Sequence, residues 1–191
     1  LQALIIDHDR LVDLANAVYI GLHWPVIAAI AIWLHAQDLT RYRNYRNAMM
    51  LSGLVGLIIF AMWPMAPPRL ADPELIDTVV ERSNAYRLMQ PPQLTNQYAA
   101  MPSLHLGWNL LMAIALVRES KHIALQLVGW ATPVVMLFAM VATANHFVLD
   151  GLAGAMIVVL ALGTVEVLFP RIREMRAQRG LTGNAEVIEE D

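Results

Sequence analysis

The sequence predicts an all-α fold, a polytopic membrane helix bundle, on three observations. Of its 191 residues 58% are hydrophobic and only 15% charged, where a soluble domain carries about a quarter charged residues. The apolar residues gather into long runs almost free of charge. Between those runs, the basic residues fall mostly on one side if the helices alternate in direction.

Taken in order, Leu14–Gln37 and Asn47–Pro68 are the first two spans, each near the roughly 20 residues that cross about 30 Å of hydrocarbon. Ser103–Val117 is shorter, but Met101 and Pro102 lead into it without a charge, and it is read as the third. Ile123–Asp150 is charge-free up to its terminal aspartate, and Gly151–Pro170 holds Glu166 as its only charge. Five spans are therefore expected. The chain opens with Leu1 and lacks the basic n-region of a secretory signal, and a preceding segment, a further span among the options, is expected to have been trimmed away.

Alternation puts nine of the thirteen basic residues on one side: Arg41, Arg43, Arg46, Arg118, Lys121, Arg171, Arg173, Arg176 and Arg179. By the positive-inside rule that side is cytoplasmic, and its arginines read as orientation signals and contacts to anionic lipid. The other side receives the N-terminal residues, the short Thr143–Asn145 connection and a long outer loop, Pro64–Pro102. Seven prolines in that loop forbid one regular helix. Asp72–Arg87 can form a short interfacial helix, with Asp72 capping and Pro73 in the first turn. One membrane domain thus occupies residues 1–179, and the polar, acidic residues 180–191 read as a disordered tail.

Several classes are set aside. There is no cysteine, hence no disulfide or thiolate chemistry. No glycine-rich nucleotide loop and no nucleic-acid signature is present, and the net charge of −3 points to no partner.

Three chemically unusual places meet at the outer surface: Arg69 after Ala66-Pro67-Pro68, Ser103-Leu104-His105 at the start of the third span, and His146 to Asp150 at the start of the fifth. Ionisable groups at membrane depth are costly and by default mark function. Asp150 follows His146 by four residues, so on a helix the two share a face. The carboxylate can then accept the imidazole's other N–H and orient it, as in a hydrolase triad. His146 is a candidate nucleophile toward phosphorus, and His105 a candidate acid for the leaving oxygen and base for the acceptor. Arg69 offers a permanently charged fork that matches phosphate oxygens. Ser103 sits where free N–H groups at a helix start favour an anion, though it can equally be an N-cap. The scheme needs no cofactor and no divalent metal.

Other readings of the same residues are a structural His146–Asp150 pair, a zinc site from His105, His146 and Asp150 in a metal-dependent hydrolase, or a proton relay in a transporter or channel. His23 inside the first span reads as a satisfied structural histidine, Trp108 and Asn109 as helix packing and an interhelical hydrogen bond, and Tyr98 as an aromatic-belt residue. Gly53, Gly56, Gly151 and Gly154 read as points of close helix approach.

Tyr98-Ala-Ala-Met-Pro-Ser-Leu-His105-Leu-Gly-Trp108, and His146 four residues before Asp150 with Gly154 beyond, resemble the type 2 phosphatidic acid phosphatase superfamily. With Met62-Trp-Pro-Met-Ala-Pro-Pro-Arg69-Leu70, the likeness is to its inositol phosphorylceramide synthase-like branch. The resemblance implies a six-helix membrane core, of which this chain would hold five, a phosphohistidine at His146, acid and base work by His105, orientation by Asp150 and phosphate contacts from Arg69 and Ser103. It also implies a lipid-linked phosphate as substrate among the membrane lipids, an alcohol such as inositol as a candidate acceptor, and a site on the extracytoplasmic side of the plasma membrane. Departures are plain: the phosphatase pattern wants lysine at Met62, proline at Leu70, glycine at Leu104 and a Ser-Arg pair at Ala139 and Met140.

Overall fold

The computed structural model describes residues 1–82 and 96–189. Among the described residues eight α-helices carry the fold: α1 Asp9–Asn16, α2 His23–Gln37, α3 Leu39–Met62, α4 Pro68–Ala71, α5 Thr78–Arg82, α6 Leu104–Glu119, α7 Ile123–Ala142 and α8 Val148–Glu189. Among the described residues there is no β-strand, only an isolated bridge between Met65 and Ala99. The chain is an all-α membrane helix bundle. Three helices are long and apolar enough to cross a bilayer, namely α3, α7 and the stretch Val148–Ile172 of α8.

Two of the five expected spans differ from expectation. The first is a bent pair, Asp9–Gly21 with His23–Gln37 at 46°, which makes a fourth crossing if the pair counts as one. Ala17–Gly21 is a π-helical turn, a local widening of the helix common at functional sites, and Pro25 in the first turn of α2 has no N–H to bond backward. The third expected span, α6, has 16 residues, about 24 Å at 1.5 Å per residue, and falls short of the hydrocarbon thickness. Its role is instead central. It packs against α2, α3, α7 and α8, and eight of its residues from Leu106 to Leu116 are buried.

Small residues allow that packing. A Cβ on Gly154 of α8 would lie 2.0 Å from the carbonyl oxygen of Ser103, and one on Gly107 of α6 would lie 2.8 Å from that of Gly154, so the two backbones touch directly. Gly53 and Gly56 of α3 receive the side chains of Trp108 and Leu104 in the same way, and a Cβ on Gly151 would meet Met140 and Leu106. In lipid, where apolar side chains gain little by leaving the solvent, such contact is a main source of helix association.

At the arginine-rich end Asp38 caps α3, accepting the N–H groups of Thr40 at 2.7 Å and Arg41 at 3.0 Å. The donors of Arg41 and Thr40 hold its carboxyl below the ordinary carboxylate value. At the other end the interfacial helix begins at Thr78, later than expected. Asp72 ends α4 and accepts the Glu74 N–H at 3.0 Å, so the chain turns there and no helix starts. Arg87 lies outside the described residues. The loop is tied down by buried amides: Gln2 exchanges hydrogen bonds with Ile76 at 2.7 and 3.0 Å, and Asn16 bonds both the carbonyl and the hydroxyl of Thr78 at 2.9 and 3.1 Å. The last helix continues to Glu189 across the residues whose composition predicts disorder. A helix already nucleated by a span extends at one hydrogen bond per residue.

Candidate active site

A cavity of about 250 Å³ opens at the histidine-bearing end, lined among others by Tyr19, His23, Arg69, His105, Trp108, Asn145 and His146. Each part is delivered by a local feature of the chain. His105 lies in the first turn of α6, whose N-cap is Ser103. His146 follows α7, which ends at Ala142. Ala144 then adopts φ 55°, a left-handed conformation that costs an L-residue about 1 to 2 kcal/mol and is usually left to glycine at a helix end. The turn lets both Asn145 and His146 donate backbone N–H groups to the Met140 carbonyl at 3.1 Å, and the Ala144 carbonyl accepts the Arg69 N–H at 3.1 Å. One strained alanine thereby couples the helix exit to the arginine.

His146 is buried, with a hydrogen-bond partner at each ring nitrogen. Nδ1 stands 2.8 Å from the Ala100 carbonyl and Nε2 stands 3.0 Å from the Tyr19 hydroxyl. A carbonyl only accepts, so Nδ1 carries a proton, and in the neutral ring Nε2 holds the lone pair. Nε2 is thus the nucleophilic nitrogen. Asp150 does less than the sequence predicts. Its Oδ2 lies 3.6 Å from Nδ1, beyond a hydrogen bond, and accepts the Phe147 N–H at 2.8 Å. The orienting acceptor is the carbonyl of Ala100, placed by the bridge in which the Met65 N–H donates to Tyr98 at 2.7 Å and the Ala100 N–H donates to Met65 at 3.3 Å. Asp150 holds the first turn of α8 and supplies negative charge nearby.

The two imidazoles meet as expected, with ring centroids 6.1 Å apart. A phosphorus about 3 to 3.5 Å from an attacking nitrogen, with its leaving oxygen about 2.6 to 3.2 Å from an acid, fits that separation. Arg69 completes the group. Its side chain is 10% exposed, with Nε 2.8 Å from Asp77 Oδ2 and Nη1 2.7 Å from Asn145 Oδ1. Among the described residues two of the five guanidinium donors are so used.

Ser103 is not brought to the cavity wall. It is fully buried, its Oγ lies 3.5 Å from the Leu106 N–H and 3.7 Å from Met140 Sδ, and its own N–H bonds the Asp150 carbonyl at 2.8 Å. Its hydroxyl caps α6. Among the described residues no three His, Asp or Glu side chains converge as a metal site.

Some participants escaped sequence reasoning. Tyr19 stacks on His105 at 4.3 Å, and His23, far from a satisfied structural histidine, lies 4.5 Å from the same ring with a buried Nδ1 that has no hydrogen-bond partner. The signal was available: Tyr19 and His23 stand four residues apart, on one face of an apolar segment. Trp108 packs as expected, donating to Ser52 at 3.2 Å, and also lines the cavity. The Asn109 Oδ1, expected in an interhelical bond, is buried without a partner. Tyr98 is more than half exposed.

A family model described as the PAP2 superfamily, that of the type 2 phosphatidic acid phosphatases, matches residues 1–164. The chain belongs to the PAP2 superfamily. No curated protein and no solved structure matches it. Membership carries a phosphatase or phosphotransferase type of function. In this PAP2 protein Met62 is exposed, while Ala139 and Met140 are packed into the core. Among the described residues Arg69 is the one arginine or lysine that lines the cavity.

Proposed function

We propose that this PAP2 protein cleaves or transfers a lipid-linked phosphate ester through a phosphohistidine, in the manner of the inositol phosphorylceramide synthase-like branch. The observation that carries the reading is the pairing of a carbonyl-fixed His146, its Nε2 on the Tyr19 hydroxyl, with His105 at 6.1 Å between ring centroids. His146 Nε2 attacks phosphorus while His105 protonates the departing oxygen. In the second half-reaction His105 takes a proton from water or an alcohol such as inositol, and that oxygen displaces Nε2. Arg69 binds the phosphoryl oxygens in a water-poor site where such charge counts most. The Ala100 carbonyl keeps the imidazole in its tautomer, Asp150 holds the first turn of α8 beside it, and Ser103 supports the reaction by holding the start of α6. An apolar tail stays in the bilayer while the phosphate reaches Arg69. The excess of arginine at the opposite end supports an extracytoplasmic site in the plasma membrane.

The test uses purified protein, a panel of labelled lipid phosphates, and each substrate with and without inositol. Free phosphate marks hydrolysis and a new phosphodiester marks transfer. His146→Ala should lower turnover by a factor on the order of 10⁴ to 10⁶ and abolish acid-labile labelling of the protein. Native turnover in that variant defeats the proposal.

A further inference from the structure

We propose that Tyr19 is a phosphoryl-binding residue of this site, masking the nucleophile in the empty enzyme and donating its hydroxyl to a phosphoryl oxygen once an ester is bound. The inference rests on the reading of His146 as nucleophile. Because the Ala100 carbonyl fixes the proton on Nδ1, the bond of 3.0 Å between Tyr19 and Nε2 runs from the phenol to the imidazole lone pair. That lone pair is the one needed for attack. The bond must therefore break in every turnover, and the phenol is released beside the incoming phosphorus.

Three features keep the phenol there. Its ring is stacked on His105 at 4.3 Å, it is buried within the same wall as Arg69, and its backbone belongs to the π-helical turn Ala17–Gly21. Once that bond breaks, the incoming phosphoryl oxygens offer the hydroxyl an acceptor. The site also has use for a donor. Arg69 is ion-paired to Asp77, and no other arginine or lysine among the described residues lines the cavity. In the step itself the N–P bond forms, the bond from phosphorus to the leaving oxygen breaks with its electron pair on that oxygen, and His105 supplies the proton. Tyr19 keeps its own proton throughout, exchanging a nitrogen acceptor for an oxygen.

Tyr19→Phe in the full chain retains the stacked ring and removes only the hydroxyl. Two readouts should move in opposite directions. Carbethoxylation of His146 by diethyl pyrocarbonate in the empty protein, followed by mass spectrometry, should become severalfold faster because the lone pair is unmasked. With phosphatidic acid in mixed micelles kcat should fall by about 10²-fold, and orthovanadate should bind more weakly. A merely structural role would not raise the one while lowering the other. Unchanged kcat and vanadate affinity, or unchanged carbethoxylation, overturns the proposal. Should that variant fail to fold, 3,5-difluorotyrosine at position 19 preserves shape and loses its proton at lower pH. Vanadate binding should then weaken from a lower pH than in the native protein, and an unshifted profile is equally fatal. Native phosphoenzyme formation alongside a silent Tyr19→Phe defeats only this inference, whereas phosphoenzyme in His146→Ala defeats the reading beneath it.

Discussion

At one end of the bundle charge is carried in the open, and at the other it is enclosed. Arg41 pairs with Glu119, which also accepts from Tyr45, and Arg118 pairs with Glu166 at 2.8 Å, with the two arginine side chains 54% and 53% exposed. Arg69 makes an ion pair of the same length but is 10% exposed, wedged between Asp77 and Asn145 beside two buried histidines. Exposed pairs contribute little, because water and salt screen them. Enclosed ones are expensive to assemble and damaging to break. The arginine end thus carries solvent-screened charge, and the histidine end spends stability on a prearranged field.

The comparison can be broken at three points. Arg69→Gln removes the enclosed cation, and kcat/KM on lipid phosphates should fall by about 10²- to 10³-fold. Arg69→Lys should recover only part of that loss, since one ammonium cannot reproduce the fork that meets Asp77 and Asn145 together. A variant with native kcat/KM would show that the guanidinium is an interfacial anchor. Next is the contact that closes the same end: Gly154→Ala drives a methyl into the Ser103 carbonyl, and thermal unfolding in detergent should show a loss of about 3 kcal/mol. An unshifted Tm would mean that α6 and α8 can separate freely. Smallest is Glu166→Gln at the exposed end, which should change stability by no more than about 1 kcal/mol and leave turnover intact. A large loss there would erase the distinction between the ends.

Much of this was legible in the residues. Hydropathy gave the long helices, because a backbone in lipid must satisfy its own hydrogen bonds and only continuous apolar helices do so. The conjunction of Arg69, His105 and His146 followed from alternation of those helices. What local pattern could not supply was depth and aim. Ser103 and Asp150 are the right residue types at the right spacing, yet the approach of Gly154 buries the first as a cap, and the Met65–Ala99 bridge inserts the Ala100 carbonyl where the second was expected. The short α6 failed as a simple span for a related reason: its neighbours surround it, so it need not match the bilayer.

Residue order alone therefore specified a membrane helix bundle and three ionisable side chains at one end, since those depend on period and hydrophobicity. Which nitrogen of His146 bears the proton, and that Tyr19 and His23 belong to the site, depended on contacts between residues as much as 127 positions apart. Only the packed bundle brings a distant carbonyl and a distant phenol to the two sides of one ring.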